Sequence, residues 1–316
     1  MTAVLLAAGL AVVCGLALAG AVGLRWRGQQ AAAQTGLAPR NRAKLMAAAL
    51  AAAAAVVCCG LSLLAIPAVL GLLPRSVCPA WAAFVYGGGP AARAGEWFAV
   101  GVLLVSKYMI AARALRCRRE LRALRVEGGI GTHERWAGFD VVTVPSPALV
   151  AYSIRGGSPQ IVLSDGLRDL LDGQGRTAVL AHEAAHLRAR HSFWLYLLSL
   201  VEAALWFAPW VRRSADAIRL SLERWADEDA ADQVGRQAVR SALITAAGIA
   251  PLPAMAAALR GADAMATRLT ALAAPRSSSR LRWADMDAMA AMAAMAIMGI
   301  GALCTALIAI HGLYGR

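Results

Sequence analysis

"VLAHEAAHLRARH", residues 179–191, gathers three of the chain's five histidines into one short stretch. The stretch is rich in alanine and leucine and follows "DGQGR" at 172–176, so it is expected to form a helix that starts just after a turn. On a helix, His182 and His186 stand four residues apart on one face, and both imidazoles can address one ion. Glu183 borders that face. The arrangement suits a zinc ion held by two ring nitrogens, with Glu183 placed to take a proton from an attacking water.

Two histidines need a third ligand. The metzincin arrangement would place glycine and histidine three and six residues after His186, but Ala189 and Ser192 stand there, which excludes that class. His191 comes one position early and is expected to be a polar residue at the helix end, satisfied by the helix dipole or a nearby carboxylate. Farther along, "LERWADEDAAD" at 222–232 puts Glu223 and Asp227 on one face of a second expected helix. Glu223 can complete a two-histidine, one-carboxylate site with its fourth position open. Asp227 can accept a hydrogen bond from a ligand imidazole and fix its tautomer. An acidic run is more often a solvated face, but in so basic a chain, downstream of HExxH, this one is read as part of a metal site holding one Zn2+.

Outward from the motifs the chain turns greasy. It has 316 residues, 59% of them hydrophobic, and a mean hydropathy of +0.56, too apolar for one ordinary water-soluble domain. Four spans are expected, at about 3–24, 45–73, 96–115 and 288–310, each long enough for a hydrocarbon core of about 30 Å. The formal charge of +13 comes from basic residues gathered beside these spans rather than interleaved with aromatics, which points to lipid and not to direct nucleic-acid binding. The basic segments at 25–44 and 113–125 are assigned to the cytoplasmic side, so the N-terminus is expected outside. The fold expected is therefore a mainly α membrane protein: three spans in 1–115, a cytoplasmic α+β zinc peptidase domain in 116–285 with a small sheet, and a fourth span in 286–316. Strands are expected at 139–144, 148–154 and 160–164, and Asp165 is expected to cap a short helix. The stretch 192–211 is hydrophobic enough for a fifth span, but one crossing there would put His186 and Glu223 on opposite sides of the bilayer. It is read instead as a helix in the interface or packed beneath the spans.

HExxH at 182–186 followed by ExxAD at 223–227, together with "SPALVAYSIRGGSPQIVLSDGL" and "APWVRRS", resembles the gluzincin membrane peptidases of the BlaR/MecR antirepressor type, with the HtpX/Ste24 type as a close relative. The resemblance covers about 140–235. It implies a zinc endopeptidase with His182, His186 and Glu223 as ligands and Glu183 as catalytic base. It further implies a cytoplasmic protein substrate such as a winged-helix repressor of the BlaI/MecI type, and "QIVLS" (160–164) as the edge strand on which substrate lies. A homodimer is left open. General quality control of membrane proteins is the alternative activity, and a receptor or scaffold with a structural metal is the alternative outside enzymes. The only lysines, Lys44 and Lys107, follow Asn41 and Leu104 by three residues, so no SxxK exists and acylation by β-lactams is not expected. Arg268, in "ATRLTALAAPR", matches an arginine of the relatives only loosely and is read as a surface or lipid-facing residue.

Overall fold

The computed structural model describes residues 38–72, 89–127, 131–155, 158–249 and 255–274. Two long helices lead. Helix α1 (Pro39–Leu70) opens on a proline, whose missing N–H costs nothing in a first turn, and runs through an alanine-rich sequence to Gly71. Helix α2 (Pro90–Glu127) follows. Both are long and apolar enough to cross a membrane. Helix α1 starts before the expected span at 45–73 and ends at Leu70, three residues after Pro67, while α2 starts before the expected span at 96–115 and continues unbroken through residue 115. The expected spans at 3–24 and 288–310 fall outside the described residues. Trp97, Phe98, Leu104, Tyr108 and Leu115 of α2 are exposed, Phe98 by 72%, an apolar surface that suits lipid better than water.

A four-stranded sheet follows, in the order β1-β2-β4-β3. Strands β1 (Thr132–Trp136) and β2 (Phe139–Val144) form an antiparallel hairpin. Its two-residue turn has positive φ at both Ala137 and Gly138, the backbone twist that tight hairpins favour. Strand β4 (Gln160–Ser164) runs parallel to β2, and β3 (Ala151–Ile154) pairs antiparallel with β4, Tyr152 opposite Val162 and Ser153 opposite Ile161. The near-continuous burial of Val141, Val142, Ile161, Val162 and Leu163 explains why these strands read as unbroken apolar runs. "QIVLS" is therefore an inner strand, not the edge expected for it, and β3 holds the edge instead. Strand β1 was not expected, because "THERW" is polar and almost wholly exposed.

The short helix α3 (Asp165–Leu170) is capped by Ser164, whose hydroxyl accepts from the Leu167 N–H, so the cap falls one residue before the expected Asp165. Helix α4 (Gly173–Ala189) carries the histidine motif. Asp172 caps it, accepting from the Gly175 N–H at 2.6 Å. Leu180, Ala184 and Leu187 of α4 pack on Val141 and Ile161 of the sheet. The opposite flank, Ala178 and Ala181, meets Ala230 and Ala231 of helix α6 (Pro209–Val234) and Ala238, Val239 and Ala242 of helix α7 (Arg236–Ile249). Small side chains on both sides let the helix axes approach, which brings the polar groups of α4 and α6 within reach of one another. Ala184 is fully buried against the sheet, and Ala184→Leu is expected to cost about 1–3 kcal/mol by overpacking, read as a lower denaturation midpoint for the full chain in detergent.

Helix α5 (His191–Ala204) is the stretch whose topology the sequence left in question. It packs against α1 and α2: Leu198 and Leu205 share a buried cluster with Leu50, Val57 and Leu61 of α1, and the Ser106 hydroxyl of α2 donates to the Ala204 carbonyl at 2.7 Å. The chain turns at 205–208 and Pro209 starts α6, so 192–211 is not one continuous helix. Helix α8 (Met255–Ala273) completes the described elements and packs on α6 and α7. Cys58, Cys59 and Cys117 are free thiols.

Candidate metal centre

Helices α4 and α6 lie side by side, each presenting polar residues four apart to the other. His182 Nε2 is 3.0 Å from His186 Nε2, 3.5 Å from Glu223 Oε2, and His186 Nε2 is 3.7 Å from Glu223 Oε1. One donor atom from each of the three side chains falls within 4.8 Å of the others. Ligands about 2.0–2.1 Å from a tetrahedral zinc stand roughly 3.3 Å apart along each edge. The observed separations straddle that length, so the three residues present fit the ion without rearrangement of either helix.

Charge agrees with geometry. Burial opposes a proton on His182, yet Asp227 and Glu223 outweigh it and raise the imidazole to about 10. Burial likewise opposes ionisation of Glu223, but His182, then His186 and Arg268, hold its carboxyl down at about 2. His186 is pushed down to about 4 by burial and by His182 beside it. The pocket is thus built to hold one positive charge between His182 and Glu223, a place that a cation can take from a proton.

Behind the donors stands a supporting layer. His182 Nδ1 is 3.0 Å from Asp227 Oδ1, and Asp227 is only 2% exposed. Arg268 of α8 grips the same carboxylate with two parallel bonds, Nε to Oδ2 at 2.8 Å and Nη2 to Oδ1 at 2.7 Å, and its Nη1 lies 3.2 Å from Glu223 Oε2. Arg268 is therefore not a surface or lipid-facing residue. The sequence hid it because nothing in "ATRLTALAAPR" places α8 over α6; the signal available was an uncompensated pair of carboxylates in a helix that also has to be buried.

Glu183 lies beside His182 on α4, and burial pushes its carboxyl above the usual carboxylate range, while His182 and a hydrogen bond from Ser153 pull the other way. Ser153 belongs to β3, which holds an edge of the described sheet, so that edge and Glu183 are neighbours.

His191 also departs from expectation. It is fully buried, and among the described residues its ring contacts are His186 and Trp225 rather than a carboxylate. Its Nδ1 lies 2.9 Å from His186 Nδ1, and its ring meets Trp225 at 4.7 Å between centroids, inclined by 64°. Burial and the neighbouring His186 lower its pKa to about 3, so the ring is neutral. Arg190, between α4 and α5, adopts the left-handed conformation, φ 56° and ψ 40°, at a cost of about 1–2 kcal/mol for a residue other than glycine.

The family model described as Peptidase family M48 matches residues 111–293, which takes in all three helices that build the centre. Comparison with curated proteins finds no match, and comparison with solved structures finds none.

Proposed function

The chain belongs to peptidase family M48, whose members are zinc-dependent metallopeptidases, and from that premise we propose that it is a membrane-anchored zinc endopeptidase acting on a cytoplasmic protein. The observation that carries this reading is the convergence of His182, His186 and Glu223 donors within 4.8 Å beside a half-buried Glu183. The proposed ligands are those three side chains, one ion per chain. Asp227 holds the His182 tautomer through Nδ1. When bound, zinc supplies a Lewis acid that polarises the scissile carbonyl and makes water more acidic.

The residues of this chain do the rest. Glu183 accepts the proton of the attacking water and returns a proton to the leaving amine, and its raised affinity for protons suits both tasks. An extended peptide can add to the open edge of β3 by backbone hydrogen bonds, which would carry its scissile bond past Ser153 toward Glu183. Arg268 is committed to Asp227 and Glu223, so its part is to hold those carboxylates.

The basic residues at 25–44 and 113–125, beside the apolar stretches of α1 and α2, support the orientation with the peptidase domain in the cytoplasm. The first substrate to test is a winged-helix repressor of the BlaI/MecI type. Purified protein in detergent, stripped by chelator, should lose cleavage and recover it with one equivalent of zinc; cleavage that survives metal removal would sink the proposal. A single cut in the repressor supports a signalling role. An intact repressor, with misfolded membrane proteins degraded at many bonds, would replace it by the quality-control role.

A further inference from the structure

In an unbroken helix, residues five apart point about 140° away from each other, so the side chains of positions 186 and 191 could not meet. Here they touch, at 2.9 Å. The left-handed turn at Arg190 ends α4, starts α5 and swings position 191 back beneath the last turn of α4. Strain of this kind persists only where the surroundings hold it, and here Trp225 of α6 closes against the His191 ring. The observation asks what the returned imidazole does.

Resting on the metal-centre reading above, we infer that His191 is a positioning residue that accepts a hydrogen bond from His186 Nδ1–H and so commits His186 Nε2 to the cation. If His186 presents Nε2, its Nδ1 must carry the proton, and His191 Nδ1 is the acceptor within reach. His191 then holds its own proton on Nε2, an atom buried without a hydrogen-bond partner among the described residues. The two histidine ligands thus have unlike supports. Asp227 gives His182 an anionic partner that strengthens it as a donor, whereas a neutral imidazole orients His186 without adding negative charge to a centre that already holds Glu223 and Asp227.

Two substitutions separate orientation from packing. Leucine at 191 keeps an apolar side chain of moderate size under α4 and deletes the acceptor. Asparagine puts an amide oxygen close to where Nδ1 lies. The measurement is the dissociation constant for zinc, by competition with a chromophoric chelator on the full chain in detergent, alongside the thermal midpoint of the metal-free protein. His191→Leu should weaken zinc binding by about 10- to 100-fold, and His191→Asn should return it to within a few-fold of the unaltered protein, even if both variants lower the metal-free midpoint equally. The absorption bands of the cobalt-substituted protein should shift in His191→Leu and not in His191→Asn. Loss of affinity that follows the metal-free midpoint in both variants, or affinity unchanged in both, overturns the inference alone. Failure of the unaltered chain to bind zinc overturns the metal-centre reading and the inference with it.

Discussion

Replacing Glu183 by Gln is expected to lower the rate of peptide cleavage by about 10²- to 10⁴-fold while leaving one zinc bound per chain. The amide has nearly the shape of the carboxylate and can still receive the Ser153 hydroxyl, so α4 should keep its place against the sheet. What it loses is the capacity to take a proton. Burial has already raised the proton affinity of this carboxyl, and the adjacent His182 keeps that rise in check. Because Glu183 is not among the three converging donors, metal content measured by elemental analysis should match the unaltered protein. The same variant should hold substrate without releasing products, which makes it the form in which to trap an unknown partner. Undiminished turnover by Glu183→Gln would remove the residue from the chemistry and with it the enzymatic reading. Loss of zinc together with activity would show instead that Glu183 supports the ligands.

The candidate metal centre was legible in the sequence to the extent that it obeys helical spacing. His182 with His186, and Glu223 with Asp227, are each four apart, and spacing alone predicts that each pair shares a face. That the two faces would meet rested on chemical complementarity, and the alanines at 178, 181, 230 and 231 supply the physical means by allowing close approach. Arg268 has no such local signature, since its role exists only because α8 lies over α6. His191 was rightly expected at the helix end, but not as a buried ring returned onto His186, because the left-handed residue that turns it back, Arg190, is neither glycine nor asparagine and nothing in the sequence marked that turn. In the sheet, the buried strands were found through their apolar runs, while β1 carries its weight through backbone pairing and a turn built from Ala137 and Gly138 rather than the usual Asn-Gly. Strand order is a tertiary property: apolar runs in β2 and β4 follow from their inner positions, so the most hydrophobic strand should have been taken for an inner one and the polar-tipped "AYSI" for the edge.

The largest stability effect should come from Arg268. Its side chain is 12% exposed and that of Asp227 is 2% exposed, so their pairing is screened little by water. Arg268→Met leaves the bulk of the side chain but strands a carboxylate beneath α8, and removal of one partner from a buried pair costs about 3–5 kcal/mol. Asp227 is held below its usual range against the pull of burial, Arg268 first and His182 second. Without the guanidinium, the cheapest response of the pocket is to bind a proton at Asp227 or keep one on His182, and either competes with the cation. Zinc affinity should therefore fall with stability in Arg268→Met, and both should be partly restored by adding Asp227→Asn, which needs no counter-charge yet can still accept from His182 Nδ1. The check is the denaturation midpoint and the zinc dissociation constant of the two variants and of the unaltered chain. If the double variant is no better than the single one, the arginine acts by filling space under α8 rather than by its charge, and the view of Asp227 as a carboxylate that must be neutralised to serve His182 fails with it.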